Sequence, residues 1–324
     1  MFAPTSRSRV VGIAVGCIAD ALFGDPRRGH PVAVFGSAAA ALERRSYADT
    51  RSAGVLHTAA LLGALAVLGL AADRAAQRRG AVAATATVAA TVFVALGGTS
   101  LARTGNQMAG HLDRGDVEAA RRLLPALCGR DPAVLDEAGL TRAALESVAE
   151  NTSDAQVAPL LWAAVGGVPA VLVYRGANTL DAMIGHRSAR YLRFGWAAAR
   201  FDDIANYLAA RVTAALVALC APVVDGAPVP ALRAWRRDAG RHPSPNAGVV
   251  EAAFAGALGV RLGGPTRYSH RLEIRPALGD GPAPGVTDLR RAVRLSRTVQ
   301  VAAAAVALAL SAVGRSGRRA CLPS

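Results

Sequence analysis

The sequence predicts an all-α, polytopic integral membrane protein with re-entrant or broken helices around a polar site. Three observations carry that prediction. Hydrophobic residues fill 52% of the 324 positions but aromatics only 5%, so the apolar content is mostly Ala, Val and Leu, which suits helices in lipid better than a β-sandwich. The mean hydropathy of +0.29 is high for a soluble chain of this length. Apolar runs long enough to cross a hydrocarbon core of about 30 Å, at about 1.5 Å per residue, recur along the chain.

The elements follow in order. Arg7 and Arg9 precede an apolar run that imitates a signal peptide, with Cys17 placed like a lipoprotein cysteine. Asp20, Asp25 and His30 follow at once, so we expect a first helix that is retained. Residues 54–72 and 81–101 read as two spans, and the linker 73–80 carries Arg74, Arg78 and Arg79. This is the pattern of a hairpin turning on the cytoplasmic side. Segment 102–154 is amphiphilic, with a surface helix expected from about Asp116, a breaker at 128–132 and a second helix near Thr141. Apolar runs at 155–174, 204–224 and 299–314 complete the set, the last a short, tilted final span or a packed helix. Residues 226–298, rich in Gly, Pro and Arg, read as polar connecting structure with one helix at about 248–260; strand signals are nearly absent. Without a repeat or an independent linker, 1–324 reads as a single membrane domain.

The formal net charge is +14. Nucleic acid, an anionic membrane surface and a polyanionic substrate all fit such a balance. The scarcity of aromatic stacking platforms argues against nucleic acid, and basic loops bordering spans make the lipid bilayer the expected partner. All 37 basic residues are arginine, which excludes a P-loop lysine, a kinase-type lysine and a Schiff-base lysine. Cys17, Cys128, Cys220 and Cys321 are scattered with no C-x-x-C pair, and no H-E-x-x-H occurs, so neither a disulfide framework nor a zinc site is expected.

Three clusters of acids and amides border the apolar runs. In the first, Glu146, Glu150 and Asp154 stand at i, i+4 and i+8 around Asn151. On an α-helix they drift by about 40° per step and share a face. Like charges so spaced repel and call for an arginine, water or a cation such as Mg²⁺; a solvated helix face is the plain alternative. The second cluster holds Arg175, Asn178, Asp181, His186 and Arg187, and the third Arg200, Asp202, Asp203 and Asn206. Helix capping and interfacial snorkelling would explain either one alone; together, beside apolar runs, they point to an ionic site. Ser244 and Asn246 open a helix that contains Glu251, where they either cap it or cradle a phosphate.

The first and second clusters flank residues 155–174, which as a straight helix would hold them about 30 Å apart. Gly166-Gly167-Val168-Pro169 interrupts that segment and Pro159 lies near its start. We therefore expect a re-entrant pair of short helices that returns both clusters to one face.

In this order the motifs resemble the CobD/CbiB family. The matching stretches are ADALFGDP and HPV within 19–32, ESVAENTSDAQVAPLLW at 146–162, YRGANTLDAMIG at 174–185, ARFDDIANYLAAR at 199–211 and SPNAGVVEAAFAGALGVRLGG at 244–264. The resemblance implies a multi-pass protein of the cell membrane that works in cobalamin biosynthesis. Its reaction would join aminopropanol, free or as its O-phosphate, to a propionate carboxylate of adenosylcobyric acid by an amide ligation using ATP and Mg²⁺. Other enzymes of corrin assembly are then expected partners. A carboxylate does not form an amide unaided, so it must be activated, and metal-bound acids can hold the polyphosphate that does so. On this reading Glu150, Asp154, Asp181, Asp202 and Asp203 are catalytic candidates, and Glu146, Glu150, Asp154 and Asp202 are metal candidates. Asn151, Asn178 and Asn206 would orient ligands, Arg175, Arg187 and Arg200 would meet phosphate or corrin carboxylates, and Ser244 and Asn246 would bind substrate.

Two rival readings remain at this level. A membrane prenyltransferase also binds Mg²⁺-diphosphate through spaced acids, but the position that should close a D-D-x-x-D run is Asn206. A transporter or membrane sensor would place such acids along an ion path.

Overall fold

Among the described residues, five helical stretches are long and apolar enough to cross a membrane: Arg51–Arg78, Ala81–Asp113, Glu137–Gly185, Trp196–Val224 and Val286–Val313. The chain is thus a polytopic all-α membrane protein. The computed structural model describes residues 6–26, 29–268 and 271–313, with side chains for all of these except residue 6 and residues 265–274. Cys321 lies outside the described residues.

In chain order the helices are α1 (Ser6–Phe23), α2 (Pro31–Ser46), α3 (Arg51–Arg78), α4 (Ala81–Ala95), α5 (Gly98–Asp113), α6 (Val117–Leu123), α7 (Glu137–Thr152), α8 (Ala158–Leu180), α9 (Trp196–Cys220), α10 (Pro228–Asp238), α11 (Ala247–Leu258) and α12 (Val286–Val313). Single π-helical turns follow α7 at Ser153–Val157 and α8 at Asp181–Gly185. Between α11 and α12, β1 (Leu262–Tyr268) pairs antiparallel with β2 (Arg271–Leu278). The contacts divide into two compact units.

The first unit comprises Met1–Gly97, Ala158–Ala205 and Ala303–Ser324. Small residues set its packing. Gly12 and Gly16, one helical turn apart on α1, lie so close to Val88 and Val92 of α4 that a Cβ would come within 2.6 and 2.7 Å. This is how helices approach where lipid offers no hydrophobic drive between them. Gly69 of α3 meets Pro169 of α8 in the same way, at 2.5 Å, and Gly176 of α8 meets Leu65 of α3, at 2.2 Å. Loop residue Gly195 and α3 residue Gly54 let the chain after α8 settle, with Phe194 fully buried beside Leu62, Leu180 and Ile184.

The break expected at Gly166–Pro169 lies within α8. Gly167 has φ 65° and ψ −151°, a region open essentially to glycine alone. Pro169 lacks an N–H to donate back along the helix. Arg9 of α1 reaches in, and its Nη1 donates to the Ala164 carbonyl at 3.1 Å. On the N-terminal limb, the Trp162 indole donates to the Ala205 carbonyl at 3.2 Å. On the C-terminal limb, the Asn178 amide donates to Asp202 at 3.5 Å. In a straight rod residues 162 and 178 would stand about 24 Å apart. Here both reach α9 within one helical turn, so the chain folds back at Gly167.

The second unit comprises Gly98–Val157 and Asn206–Ala302. Asp116 and Asp136 cap α6 and α7 by accepting from the N–H groups of Ala119 and Gly139, so the second helix of this region starts at Glu137, four residues before the expected Thr141. Thr152 and Gln156 both bond the Ser296 hydroxyl of α12, at 2.7 and 2.9 Å, which fixes the first π-helical turn against that helix. The region expected to be connecting structure holds α10, α11, the β-ribbon and the start of α12. The ribbon was hidden by Gly263, Gly264 and Pro265 in β1 and Pro276 in β2, residues that occur only at sheet edges and bulges; the register shifts between Leu262 and Gly264. Asp238 at the end of α10 is fully buried and accepts from Arg237 and from the Gly279 N–H at 2.9 Å.

Two outcomes follow. Gly167→Ala forces a side chain into a glycine-only conformation and lowers stability by about 2 kcal/mol or more; thermal unfolding in detergent checks this, and an unchanged midpoint would contradict it. The Arg237 guanidinium, hydrogen-bonded to Asp238, holds that carboxyl below the usual aspartate range, so its stabilising contribution is complete above about pH 4 and is lost as pH falls through the folded value. The gap in unfolding midpoint between wild type and Asp238→Asn is therefore wide at neutral pH and narrows in acid.

Candidate functional site

In the first unit, the second and third clusters meet. Arg175 Nη1 donates to Asn178 Oδ1 at 3.2 Å, and Asn178 in turn donates to Asp202. The chain Arg175–Asn178–Asp202 therefore links α8 to α9, with the carboxylate of Asp202 buried and Asn178 half-buried. Asp181 opens the second π-helical turn. Its carboxylate lies over Gly185, where a Cβ would sit 1.9 Å from Oδ1. Glycine at 185 thus makes room for the acid. π-Helical turns are rare and concentrate at functional sites. Arg200 pairs with Asp203 at 3.1 Å on the half-exposed side of α9, and Arg187 is exposed in the loop before it. That loop is clamped to α2: Glu43 accepts from Arg190 and from the Tyr191 hydroxyl, both at 2.9 Å.

In the second unit, the stripe Glu146–Glu150–Asp154 does not keep one environment. Glu146 is buried, Glu150 is exposed, and Asp154 stands half-buried in the first π-helical turn, beyond the α-helical phase that the i+8 spacing assumes. The Glu146 carboxylate is fully engaged. One oxygen pairs with the buried Arg130 and the other accepts from the Gly263 N–H at 2.8 Å. Arg130 thus supplies the positive charge that the spacing of the acids demanded. Asn151 bonds back to Ser147 within α7.

Asn206, on α9 one turn beyond Asp202, is buried. Ser244 Oγ accepts from the N–H groups of Asn246 and Ala247 at 3.3 and 3.1 Å, which ties down the turn leading into α11. Asn246 accepts from Arg211 of α9 at 2.8 Å.

One group was not among the candidates. Glu251 is a lone acid in the otherwise apolar α11, and it is fully buried with no hydrogen bond to either oxygen. His242 Nε2 stands 3.9 Å from it and Arg275 Nη1 3.6 Å. Burial, reinforced by the charge of Glu146, pushes its carboxyl well above the usual range. An acid alone in an apolar helix is the sequence signal that points to it. Among the described residues, no three acids, histidines or cysteines gather into a metal-binding group.

Removing one partner of a buried ion pair strands the other. Arg130→Met should therefore cost about 3–5 kcal/mol, while Arg130→Met with Glu146→Gln should recover part of that loss. Equal midpoints for the single and double variants in thermal unfolding would show that the pair carries no such burden.

Comparison with known proteins follows the same residues. The model of the CobD/Cbib protein family matches residues 13–296. A cobalamin biosynthesis protein CobD of Mycobacterium tuberculosis (strain H37Rv) is 68% identical over 310 residues, covering 96% of this chain and 98% of that protein. Proteins of the same name from Chromobacterium violaceum and Geobacter metallireducens are 43% and 42% identical, covering 87% and 90% of this chain and 90% and 92% of their own lengths. No solved structure matches. The chain belongs to the CobD/CbiB family.

Proposed function

We propose that this chain is a membrane enzyme of cobalamin biosynthesis that converts adenosylcobyric acid to adenosylcobinamide or its phosphate. It does so by forming an amide between a corrin propionate and aminopropanol or aminopropanol phosphate, as a multi-pass protein of the cell membrane. Relatives named for cobalamin biosynthesis match nearly its whole length. The structural observation that carries the reading is the meeting of two motifs distant in sequence, through Asn178 and Asp202, beside the acid Asp181. Neither a prenyltransferase nor a transporter has comparable support.

ATP and Mg²⁺ fit the donor chemistry of this region. Mg²⁺ entering with a nucleotide needs only one or two protein carboxylates, the remaining ligands being phosphate and water. In the first unit, Asp181, given room by Gly185, and Asp202, oriented by Asn178, are of that kind; Glu150 and Asp154 are candidates of the second unit, considered by itself. When bound, the nucleotide and metal supply the activation that a carboxylate needs before an amine can attack it.

The protein's own residues do the rest. Arg175, Arg187 and Arg200 attract phosphate and the carboxylates of the corrin. Arg175 also holds Asn178, and so the rotamer of Asp202. The attacking ammonium must lose a proton to become a nucleophile, and a carboxylate such as Asp203 is the proposed acceptor. Asn151 and Asn206 orient ligands. Other enzymes of corrin assembly that hand over or accept these substrates are the proposed partners.

The test incubates the detergent-purified chain with adenosylcobyric acid, ATP, Mg²⁺ and either amine, and follows corrins by mass spectrometry. The expected result is a mass gain matching the amide, absent without ATP or Mg²⁺. Asp181→Asn should reduce the rate at least about 100-fold, the scale of an acid/base or metal-holding group, with an unchanged unfolding midpoint. Gly185→Ala should also reduce it, by crowding the same carboxylate. Full activity in Asp181→Asn would remove that residue from the site, and no amide with either amine would refute the ligase reading.

A further inference from the structure

The second unit carries a basic surface at one end of its spans. The span Trp196–Val224 ends four residues before Pro228, where α10 begins. The level of that end is marked by α12, whose Arg291 donates to the carbonyls of Val224, at 2.8 Å, and of Leu258, at 2.9 Å. Arg290, Arg291, Arg294 and Arg297 all precede the long apolar run of α12. This end of the unit therefore lies where hydrocarbon gives way to head groups, and α10 leaves the span at that depth.

α10 is two-sided. Ala231, Ala234 and Asp238, at i, i+3 and i+7, face inward. Arg237 is tied down by Asp238 and by Asp280 at 2.5 Å. The outer side forms an open groove of about 630 Å³ lined by Val229, Leu232, Arg233, Arg236 and Arg237. Val229 is 61% exposed, and at the adjoining end of the span Leu219 and Val223 are 71% and 45% exposed. Arg233 and Arg236 are exposed and make no ion pair or hydrogen bond among the described residues. Apolar side chains and guanidinium groups that line one groove, at the end of a span, match one kind of ligand: an acyl chain joined to a phosphodiester.

We infer that the outer face of α10 is a docking surface for anionic phospholipid, with Arg233 and Arg236 gripping the phosphate and Val229 and Leu232 lying against the first acyl carbons. The inference uses none of the residues proposed for the ligation, and it holds whether or not that ligation is correct.

Native mass spectrometry of the full chain in detergent, titrated with phosphatidylglycerol or phosphatidylcholine of the same acyl chains, tests it. The wild type should prefer phosphatidylglycerol. Arg233→Gln with Arg236→Gln should weaken that binding about 25-fold, about fivefold for each arginine near a membrane surface, while phosphatidylcholine binding and the unfolding midpoint stay unchanged. A matched double variant at the exposed Arg78 and Arg79 should keep the preference. Equal binding of the two lipids, or equal losses in the two double variants, would overturn the proposal by leaving only general charge attraction. Displacement of phosphatidylglycerol by millimolar inorganic phosphate would also overturn it, as a site for free phosphate.

Discussion

The reversal of α8 at Gly167 is the constraint on which the first unit depends. A helix broken inside an apolar protein frees backbone groups that lipid cannot satisfy. The chain meets that cost locally. Glycine adopts the conformation the turn needs, Pro169 removes one donor, and Arg9 takes the Ala164 carbonyl. Fixed in this way, the second limb runs against α3 through the contacts of Gly69 with Pro169 and of Gly176 with Leu65. Both limbs then reach one turn of α9. A continuous helix over Glu137–Gly185, 49 residues, would run to about 74 Å, more than twice a hydrocarbon core of about 30 Å. The break is thus what allows this stretch to remain within a membrane and still present its polar residues to a neighbour.

The polar residues are arranged by charge economy. Where an acid is buried and has a structural task, it is given a partner: Arg130 for Glu146, Arg190 for Glu43, Arg237 for Asp238. The acids proposed to meet substrate are treated otherwise. Asp181 and Asp154 stand in π-helical turns, and Asp202 is oriented by an amide.

Much of this was legible in the sequence. Spans, the Gly-Gly-Val-Pro break and the succession of acid–amide motifs are written in local composition, and local composition is what a single sequence displays. What it hid depends on partners distant along the chain. The spacing of Glu146, Glu150 and Asp154 suggested one charged stripe, but Arg130, sixteen residues earlier, neutralises the first, and the π-helical turn over Ser153–Val157 moves the third off the helical phase. Ser244 reads as cap or cradle from its spacing alone, and its bonds to the N–H groups of Asn246 and Ala247 belong to a turn that composition does not display. The β-ribbon escaped because its strands carry Gly-Gly-Pro and Pro276, and α10 was absorbed into a stretch rich in Gly, Pro and Arg whose composition masks an eleven-residue helix.

The reversal at Gly167 can be measured directly by pulsed electron paramagnetic resonance, with spin labels at Leu161 and Ala182 in the detergent-solubilised chain. These positions flank the break, and an unbroken helix would separate them by about 31 Å. The structure predicts a single distance distribution centred well below that value. A distribution centred at the straight-helix distance would contradict the fold-back and, with it, the meeting of both limbs at α9.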